Sequence, residues 1–170
     1  IGIESVATDP VEPNRVYFAG GTYMNNPAAL FASDDYGDTW TRYDVPFHCG
    51  GNQSGRGCGE RMRVNPNNNK EVWFGSRDSG LWKTEDYGKN WEEVTSFPVT
   101  GNYKQESNNI GILWVEFDPA STDLYVGVAM TDGQCIYKSA DGGESWTALP
   151  ANAKGMYPLH ASFSTEGKLY

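Results

Sequence analysis

Short apolar runs separated by polar, glycine-containing turns recur along the chain and predict β-strands. Three of these runs lead directly into a motif of the form Ser/Thr-x-Asp-x-Gly-x-(Ser/Thr/Asn)-Trp. The copies are SDDYGDTW at 33–40, TEDYGKNW at 84–91 and SADGGESW at 139–146. Their starts lie 51 and then 55 residues apart, and repeats of such a period indicate propellers or repeat arrays.

A second repeat runs in step with the first and reads as a strand, an (Asp/Asn)-Pro turn, a polar loop and another strand. Its copies are VATDPVEPNRVYF at 6–18, RVNPNNNKEVWF at 63–74 and EFDPASTDLYVG at 116–127. Together the repeats predict four strands per unit: 3–8, 15–20, 29–32 and 39–44; then 60–64, 71–75, 80–83 and 90–95; then 111–117, 124–129, 135–138 and 145–149. Units of this kind, without helical periodicity, are typical of β-propeller blades.

We therefore predict an all-β chain that forms a β-propeller segment of about three four-stranded blades plus the start of a fourth. The blades are expected at about 1–46, 58–97 and 110–150, with the fourth starting at about 156–170. Propellers typically need about four to eight blades to close a ring, and open ends would expose strand edges. The sequence thus predicts a segment of a larger propeller, or one that other chains complete.

The Asp-containing motif predicts a braced hairpin. Asp bonds nearby backbone amides and Gly supplies a positive φ, while the Trp can anchor the hairpin by burying a large apolar surface. The three carboxylates have the chemistry of catalytic acids, but bracing a turn explains their spacing. We therefore assign a structural role to Asp35, Gly37, Trp40, Asp86, Gly88, Trp91, Asp141, Gly143 and Trp146.

Charge and composition narrow the classes of partner. The chain carries 13 basic and 22 acidic side chains, for a net charge of −9, which argues against nucleic acid because no basic run could neutralise phosphates. Aromatic residues make up 14% of the chain, a weak indication of carbohydrate, since strands also favour them. No run is long enough to span a membrane, and neither a metal-ligand spacing nor a cofactor motif is present.

Three non-repeating loops are the functional candidates: 20–29, 46–59 and 97–110. The second is rich in glycine and contains Asn52 and Arg56. It is either a loop that contacts sugar or a tight crossover between blades in which Arg56 pairs with Glu60. Its cysteines, Cys49 and Cys58, either form a small disulfide or remain free thiols.

Several segments together resemble glycoside hydrolase family 74, the xyloglucan-cleaving endo-β-1,4-glucanases. They are IESVATDPVEPNRVY, GTYMN, GGNQSGRGCGERMRVNP, GSRDSGLWKTEDYGKNW, GILWVEFDP and YVGVA. The resemblance implies two facing seven-bladed propellers and inverting hydrolysis by two Asp residues. Both of those residues fall outside this chain, so no catalytic residue is assigned here. It also implies a secreted protein, a plant cell-wall β-glucan such as xyloglucan as substrate, and the remaining blades and a second propeller as partners.

The resemblance implies substrate-binding roles for Tyr23, Asn25, Asn52, Arg56, Arg61, Arg77, Trp114 and His160. Trp114 alternatively packs between blades. His160 matches only one histidine of a Pro-His-His-like segment, because Leu159 replaces the other. Cys49 and Cys58 also depart from the family pattern, which fits a local bridge.

Two other functions compete with a xyloglucan-cleaving enzyme. A non-catalytic Asp-box propeller of the sortilin or assembly-factor type would act as a binding or interaction module. A sialidase would share the motifs, but it needs a cluster of arginines that the scattered arginines here do not establish.

Overall fold

The computed structural model describes residues 2–22, 28–150 and 157–170. Blade one contains β1 (Gly2–Thr8), β2 (Val16–Gly21), β3 (Ala29–Ser33) and β4 (Thr41–Asp44). Blade two contains β5 (Met62–Val64), β6 (Val72–Gly75), β7 (Leu81–Thr84) and β8 (Glu92–Glu93). A small hairpin of β9 (Lys104–Gln105) and β10 (Asn108–Asn109) precedes blade three, which contains β11 (Ile112–Phe117), β12 (Leu124–Val128), β13 (Ile136–Ser139) and β14 (Thr147–Ala148).

Each blade is an antiparallel sheet whose strands pair in chain order, and the predicted all-β propeller fold is confirmed. The fourth strands of blades two and three are shorter than expected, because only two exposed residues of each pair with the neighbouring strand. In the described part of 156–170, Phe163 bridges Leu169, and Ser162 and Tyr170 exchange backbone hydrogen bonds at 3.1 and 3.0 Å, which forms a short antiparallel hairpin. The β9–β10 hairpin was not predicted. No helix among the described residues is long and apolar enough to cross a membrane.

The strand order divides the loops between two faces. Because the strands alternate in direction, the β1–β2 and β3–β4 turns of a blade share one end, and the β2–β3 turns share the other end with the linkers between blades. On the first end, Asn14 Nδ2 donates to Asp34 O at 2.7 Å. On the second, Thr131 N donates to Asn102 Oδ1 at 2.8 Å. We call the first end the box face, because its β3–β4-type turns carry the Asp-containing motifs (Asp-boxes), and the second end the linker face.

Three apolar clusters fill the spaces beside the sheets. The first joins blades one and two and includes Tyr17, Leu30, Phe47, Met62 and Phe74. The second joins blades two and three around Trp73, Ile112, Val115 and Val126. The third places Leu113 and Trp114 of blade three against Tyr157, Ala161 and Leu169. The inner strand β11 is buried nearly throughout because it contributes to both the second and the third cluster.

The Asp motifs are networks of hydrogen bonds within each β3–β4-type turn. Ser33 Oγ donates to Asp35 Oδ1 at 2.7 Å and accepts from Gly37 N at 2.8 Å. Asp35 also accepts from the amide and the hydroxyl of Thr39, at 2.8 and 2.5 Å. Matching contacts occur in the other two copies, among Thr84, Asp86, Gly88 and Asn90 and among Ser139, Asp141, Gly143 and Ser145.

Two of these turns also dock their blade on the preceding one, blade two on blade one and blade three on blade two. A Cβ at Gly88 would lie 2.1 Å from Leu30 Cδ2 of blade one, and one at Gly143 would lie 2.5 Å from Trp73 of blade two. At Gly37 the nearest atom would be 3.3 Å away, in Trp40 of the same turn. Two motif glycines are therefore required by contacts between blades as well as by their positive φ.

The three motif tryptophans follow this arrangement. Trp91 packs edge-on against Phe47 of the linker that follows blade one, and Trp146 packs against Phe97 of the linker that follows blade two. Trp40 contacts Phe18 of its own blade and remains 41% exposed. It therefore buries less surface than the motif predicts.

Replacing Gly88 with alanine is expected to destabilise the fold more than the matched change at Gly37. Both residues have φ near +90°, so the backbone strain of Gly88→Ala and Gly37→Ala is alike. Only the first places a methyl group against another blade, and overpacking of this kind costs about 1–3 kcal/mol. Urea unfolding of both variants measures the difference. Equal losses of free energy of unfolding would contradict docking through this glycine.

The aspartates of the turns should make stability depend on acid pH. The pKa of Asp35 and that of Asp141 are about 2, below the ordinary 3.8. The largest cause is a side-chain hydrogen bond, from Thr39 to Asp35 and from Ser145 to Asp141. A lowered folded-state pKa stabilises the protein above the unfolded value, and this contribution is lost as the pH falls from about 4 towards 2. Unfolding midpoints across this range should depend less on pH in Asp35→Asn than in the wild type. The neighbouring Asp38→Asn serves as control. If the unfolding midpoint of Asp35→Asn depended on pH as steeply as that of the wild type, Asp35 would not stabilise the turn.

Candidate functional site

A shallow cavity of about 280 Å³ lies on the linker face between two linkers. One wall is residues 52–57 of the glycine-rich loop, and the other is Gln105 of the β9–β10 hairpin. Ser54 Oγ donates to Glu106 Oε2 at 2.6 Å and so joins the two walls. We call residues 52–57 and 104–109 the rim. The rim presents amide, hydroxyl and guanidinium groups, which can hydrogen-bond a polar ligand.

Asn52 and Arg56, both predicted to contact substrate, are exposed on this rim. Within the described ranges Arg56 forms no ion pair with Glu60, so the structure does not support that alternative. The side chain of Arg56 therefore remains accessible to a ligand.

A buried ion cluster lies behind the rim and consists of Glu4, Arg61 and Arg77. Arg61 Nε lies 2.7 Å from Glu4 Oε1, and Arg77 Nε donates to the same oxygen at 2.9 Å. The side chains are 0%, 0% and 1% exposed for Glu4, Arg61 and Arg77. Burial lowers the pKa of Arg61, and the nearby Glu4 carboxylate opposes this. Removing one partner of a buried pair typically costs about 3–5 kcal/mol, so we assign this cluster to the stability of the fold.

The two guanidinium groups also bind backbone carbonyls of different segments. Arg77 Nη1 donates to Ser54 O at 2.7 Å and to Asn109 O at 3.3 Å. Arg61 donates to Ile112 O through Nη1 and to Ile110 O through Nη2, the latter at 2.9 Å. The cluster thus connects β1, the glycine-rich loop, the hairpin and β11.

Arg61 and Arg77 were expected to contact substrate, but in the structure they lie behind the rim with no exposed surface to offer. Their amino-acid type and position in the sequence did not distinguish a residue that supports the loop from one that contacts substrate. Glu4 was not predicted at all. The available signal was an acidic residue at an inward position of the innermost strand, where burial requires a partner.

The glycines of the loop are explained by close packing. A Cβ at Gly51 would lie 2.2 Å from the carbonyl carbon of Gly2, and one at Gly59 would lie 1.8 Å from Leu113 O. Gly59 also has a φ of 63°. These close contacts favour the prediction that the glycines form a tight crossover between blades. Asn52 and Arg56 are exposed, as ligand contact requires.

Two of the remaining predicted contacts, Trp114 and His160, do not line this cavity. Trp114 is 1% exposed, and its Nε1 donates to Pro158 O at 2.9 Å, which agrees with the alternative of a packing tryptophan. Its ring leaves no room for a Cβ at Gly127, which would lie 2.1 Å away. His160 is exposed. Tyr23 and Asn25 lie outside the described residues.

Two further features of the linker face were missed. His48 Nδ1 and Asp78 Oδ2 lie 3.1 Å apart, and this contact holds the pKa of Asp78 below its usual value. The pair links the glycine-rich loop to the β6–β7 turn. A second cavity of about 340 Å³ is lined by residues 97–102 and Met130, within the third candidate loop and its neighbour. The described residues contain no group of His, Cys, Asp and Glu side chains arranged to hold a metal ion.

Cys49 and Cys58 are free thiols in the structure, so the bridge that their spacing allowed is absent. Cys49 packs in the cluster between blades one and two, and Cys58 packs in the cluster beside blade three. Burial raises the pKa of both thiols, which favours the unreactive protonated form.

Repeated four-stranded blades with braced turns on one face and irregular linkers on the other define an Asp-box β-propeller. Residues 28–169 match the model of the Sortilin-Vps10 family, described as Sortilin, neurotensin receptor 3, and the chain belongs to this family.

The predicted resemblance to glycoside hydrolase family 74 is confirmed by known proteins. The chain is similar to a xyloglucanase of Paenibacillus sp, with 45% identity over an alignment that covers 99% of this chain and 18% of the relative. An oligoxyloglucan-reducing end-specific xyloglucanase of Emericella nidulans is 46% identical over 88% of this chain and 18% of its own length. The crystal structure of the family 74 xyloglucanase from Xanthomonas campestris superposes with a TM-score of 0.90 at 36% identity, covering 99% of this chain and 26% of that one. The chain spans about a fifth of the length of the curated relatives it matches.

Alkylation in denaturant without reductant is expected to modify both Cys49 and Cys58, because neither lies in a disulfide. Mass spectrometry of the peptides measures the modification, and a reduced sample is the control. In the native protein Cys49 should react slowly, since it is fully buried. Protection of both residues until reductant is added would show that they are bridged.

Proposed function

We propose that this chain is part of a xyloglucan-active endo-β-1,4-glucanase and supplies scaffold and one wall of its glucan-binding cleft. The observation that carries the proposal is similarity to xyloglucanases over nearly the whole chain, with a TM-score of 0.90 to one of their structures. The accessible polar rim on the linker face supports it. The wall is the rim together with the neighbouring linkers.

The chemistry of the rim suits a neutral polysaccharide. Glucan hydroxyls both donate and accept hydrogen bonds, and the amide groups of Asn52 and Gln105 can do the same, while Arg56 adds donors. A neutral glucan is not repelled by a chain whose net charge is −9. Tyr23, Asn25 and His160 stay predicted contacts of the same substrate.

The proposed hydrolysis inverts the anomeric centre. In such a mechanism one carboxylic acid protonates the leaving oxygen and a second carboxylate activates water on the opposite face of the sugar. We propose that both carboxylates come from outside this chain. On the linker face, Glu4 is buried between two arginines and Asp78 is paired with His48, so neither is assigned to that chemistry.

The proposal also concerns the other parts of the enzyme and the location of its substrate. The remaining propeller blades and a second propeller would complete the cleft, and plant cell-wall xyloglucan would be reached outside the cell.

A second candidate is a binding or interaction propeller without catalysis. The observation that favours it is the match of residues 28–169 to the sortilin family. In that case the same rim would bind a protein segment, and the turns of the box face would have the same bracing role.

The purified chain is expected to bind a xylosylated cellotetraose without releasing reducing ends from xyloglucan. Arg56→Ala should weaken binding about fivefold, the equivalent of one ordinary hydrogen bond. Arg42→Ala on β4 is the matched control, because Arg42 is half exposed and pairs with Asp44 of its own strand, away from the rim. Titration calorimetry measures the affinity, and a reducing-sugar assay measures turnover.

Turnover by the chain alone would overturn the assignment of both carboxylates to other segments. Equal losses of affinity for the oligosaccharide in Arg56→Ala and Arg42→Ala would overturn the rim as the binding surface. Binding of peptides in preference to the oligosaccharide would favour the second candidate.

A further inference from the structure

We propose that Glu4 is a positioning residue that sets the separation of the two walls of the rim through Arg77. Its value for glucan binding rests on the proposed function, whereas its effect on the rim does not. Glu4 contacts no ligand in this proposal. It acts on the backbone at both ends of the segment that carries Asn52.

The first anchor is direct. Glu4 Oε2 accepts a hydrogen bond from Gly50 N at 2.8 Å, immediately before the segment that lines the cavity. A Cβ at Gly50 would lie 2.7 Å from Arg77 Nε and 2.0 Å from Gln53 Oε1. The loop backbone therefore lies against the guanidinium group, and only glycine leaves space for it.

The second anchor passes through Arg77. Glu4 Oε1 accepts from Arg77 Nε at 2.9 Å, and Arg77 Nη1 donates to Ser54 O at 2.7 Å. The same Nη1 lies 3.3 Å from Asn109 O, at the end of the hairpin that forms the other wall. One planar guanidinium group thus spans both walls. Because its geometry is rigid, its orientation fixes how far apart they lie.

The ordering of the contacts explains how a buried carboxylate can affect an exposed site. Asn52 lies between Gly50 and Ser54, and both of these are held by the Glu4–Arg77 pair. The exposed contact from Ser54 Oγ to Glu106 Oε2 closes the same arrangement at the surface. Loss of the carboxylate should therefore free the loop segment, in addition to any loss of stability through Arg61.

The test compares Glu4→Gln with Glu116→Gln by hydrogen exchange of the backbone amides. Glu116 on β11 accepts from Arg63 of β5, so it also joins two blades, but it lies towards the box face. Glu4→Gln should speed exchange by about tenfold or more at the Gly50, Gln53 and Arg56 amides, which are hydrogen-bonded in the structure, and in the paired residues of the β9–β10 hairpin. A factor of this size is expected for a lost hydrogen bond to a charged group. Glu116→Gln should leave these amides within about twofold of the wild type, whatever its effect on the melting temperature.

Binding of a xylosylated cellotetraose is measured with the same proteins. Weaker binding in Glu4→Gln, together with faster exchange of the rim, supports positioning for glucan. If the wild type does not bind the oligosaccharide, the proposed function fails, whereas the exchange rates still decide whether Glu4 positions the rim. Unchanged rim exchange in Glu4→Gln, or the same increase in Glu116→Gln, would overturn the inference.

Two further measurements decide the matter if Glu4→Gln does not fold. Arg77→Lys keeps a charge beside Glu4 but loses the fork that reaches both walls, so it should release residues 52–57 in the same way. In the unaltered protein, the Gly50 amide should exchange far more slowly than that of the exposed Gly57. Equal exchange at Gly50 and Gly57 would overturn the inference without any substitution.

Discussion

The arrangement of the linker face depends on one buried carboxylate shared by two arginines. Glu4 belongs to blade one, whereas Arg61 and Arg77 belong to blade two, and both arginines donate to carbonyls near blade three. Burial of charge is unfavourable unless pairing and hydrogen bonds are complete. Two cations against one anion leave an excess of positive charge, which the backbone carbonyls offset. These polar contacts, in addition to the apolar clusters, thereby fix the positions of the three blades relative to one another.

The box face is stabilised by short-range contacts instead. Each Asp closes its own turn, and the adjacent glycine allows the turn to approach the preceding blade closely, as Gly88 and Gly143 do. These contacts repeat from blade to blade, because the motif brings its hydrogen bonds and its packing surface together. In the described part of the linker face the contacts do not repeat in this way: Glu4 binds the glycine-rich loop at Gly50, whereas Asn102 of the next linker binds Thr131 of the β12–β13 turn. This asymmetry supports placing the proposed glucan contacts on the linker face.

Periodic features could be predicted from the sequence, and features that depend on contacts between blades could not. The motif spacing located the sheets, and glycine richness identified the loop that carries Asn52 and Arg56. The β9–β10 hairpin escaped prediction because its strands are polar and only two residues long. Glu4 and Arg77 are 73 residues apart, and no local pattern connects them. Resemblance selected Arg61, Arg77 and Trp114 by position, but only burial shows that these side chains point into the protein.

The separation of the two faces has a consequence for how such a propeller can diversify. Turns on the box face are constrained in length, because an inserted residue would disturb both the hairpin and the neighbouring blade. Linkers can gain or lose residues without changing strand register, so new ligand specificities can arise there at little risk to folding. The Glu4–Arg77 pair limits this freedom at Gly50 and Ser54, where the loop is attached to the interior. Variation in the glycine-rich loop is therefore easiest at exposed side chains such as Asn52 and Arg56, because Gly51 and Gly59 are packed closely against other segments.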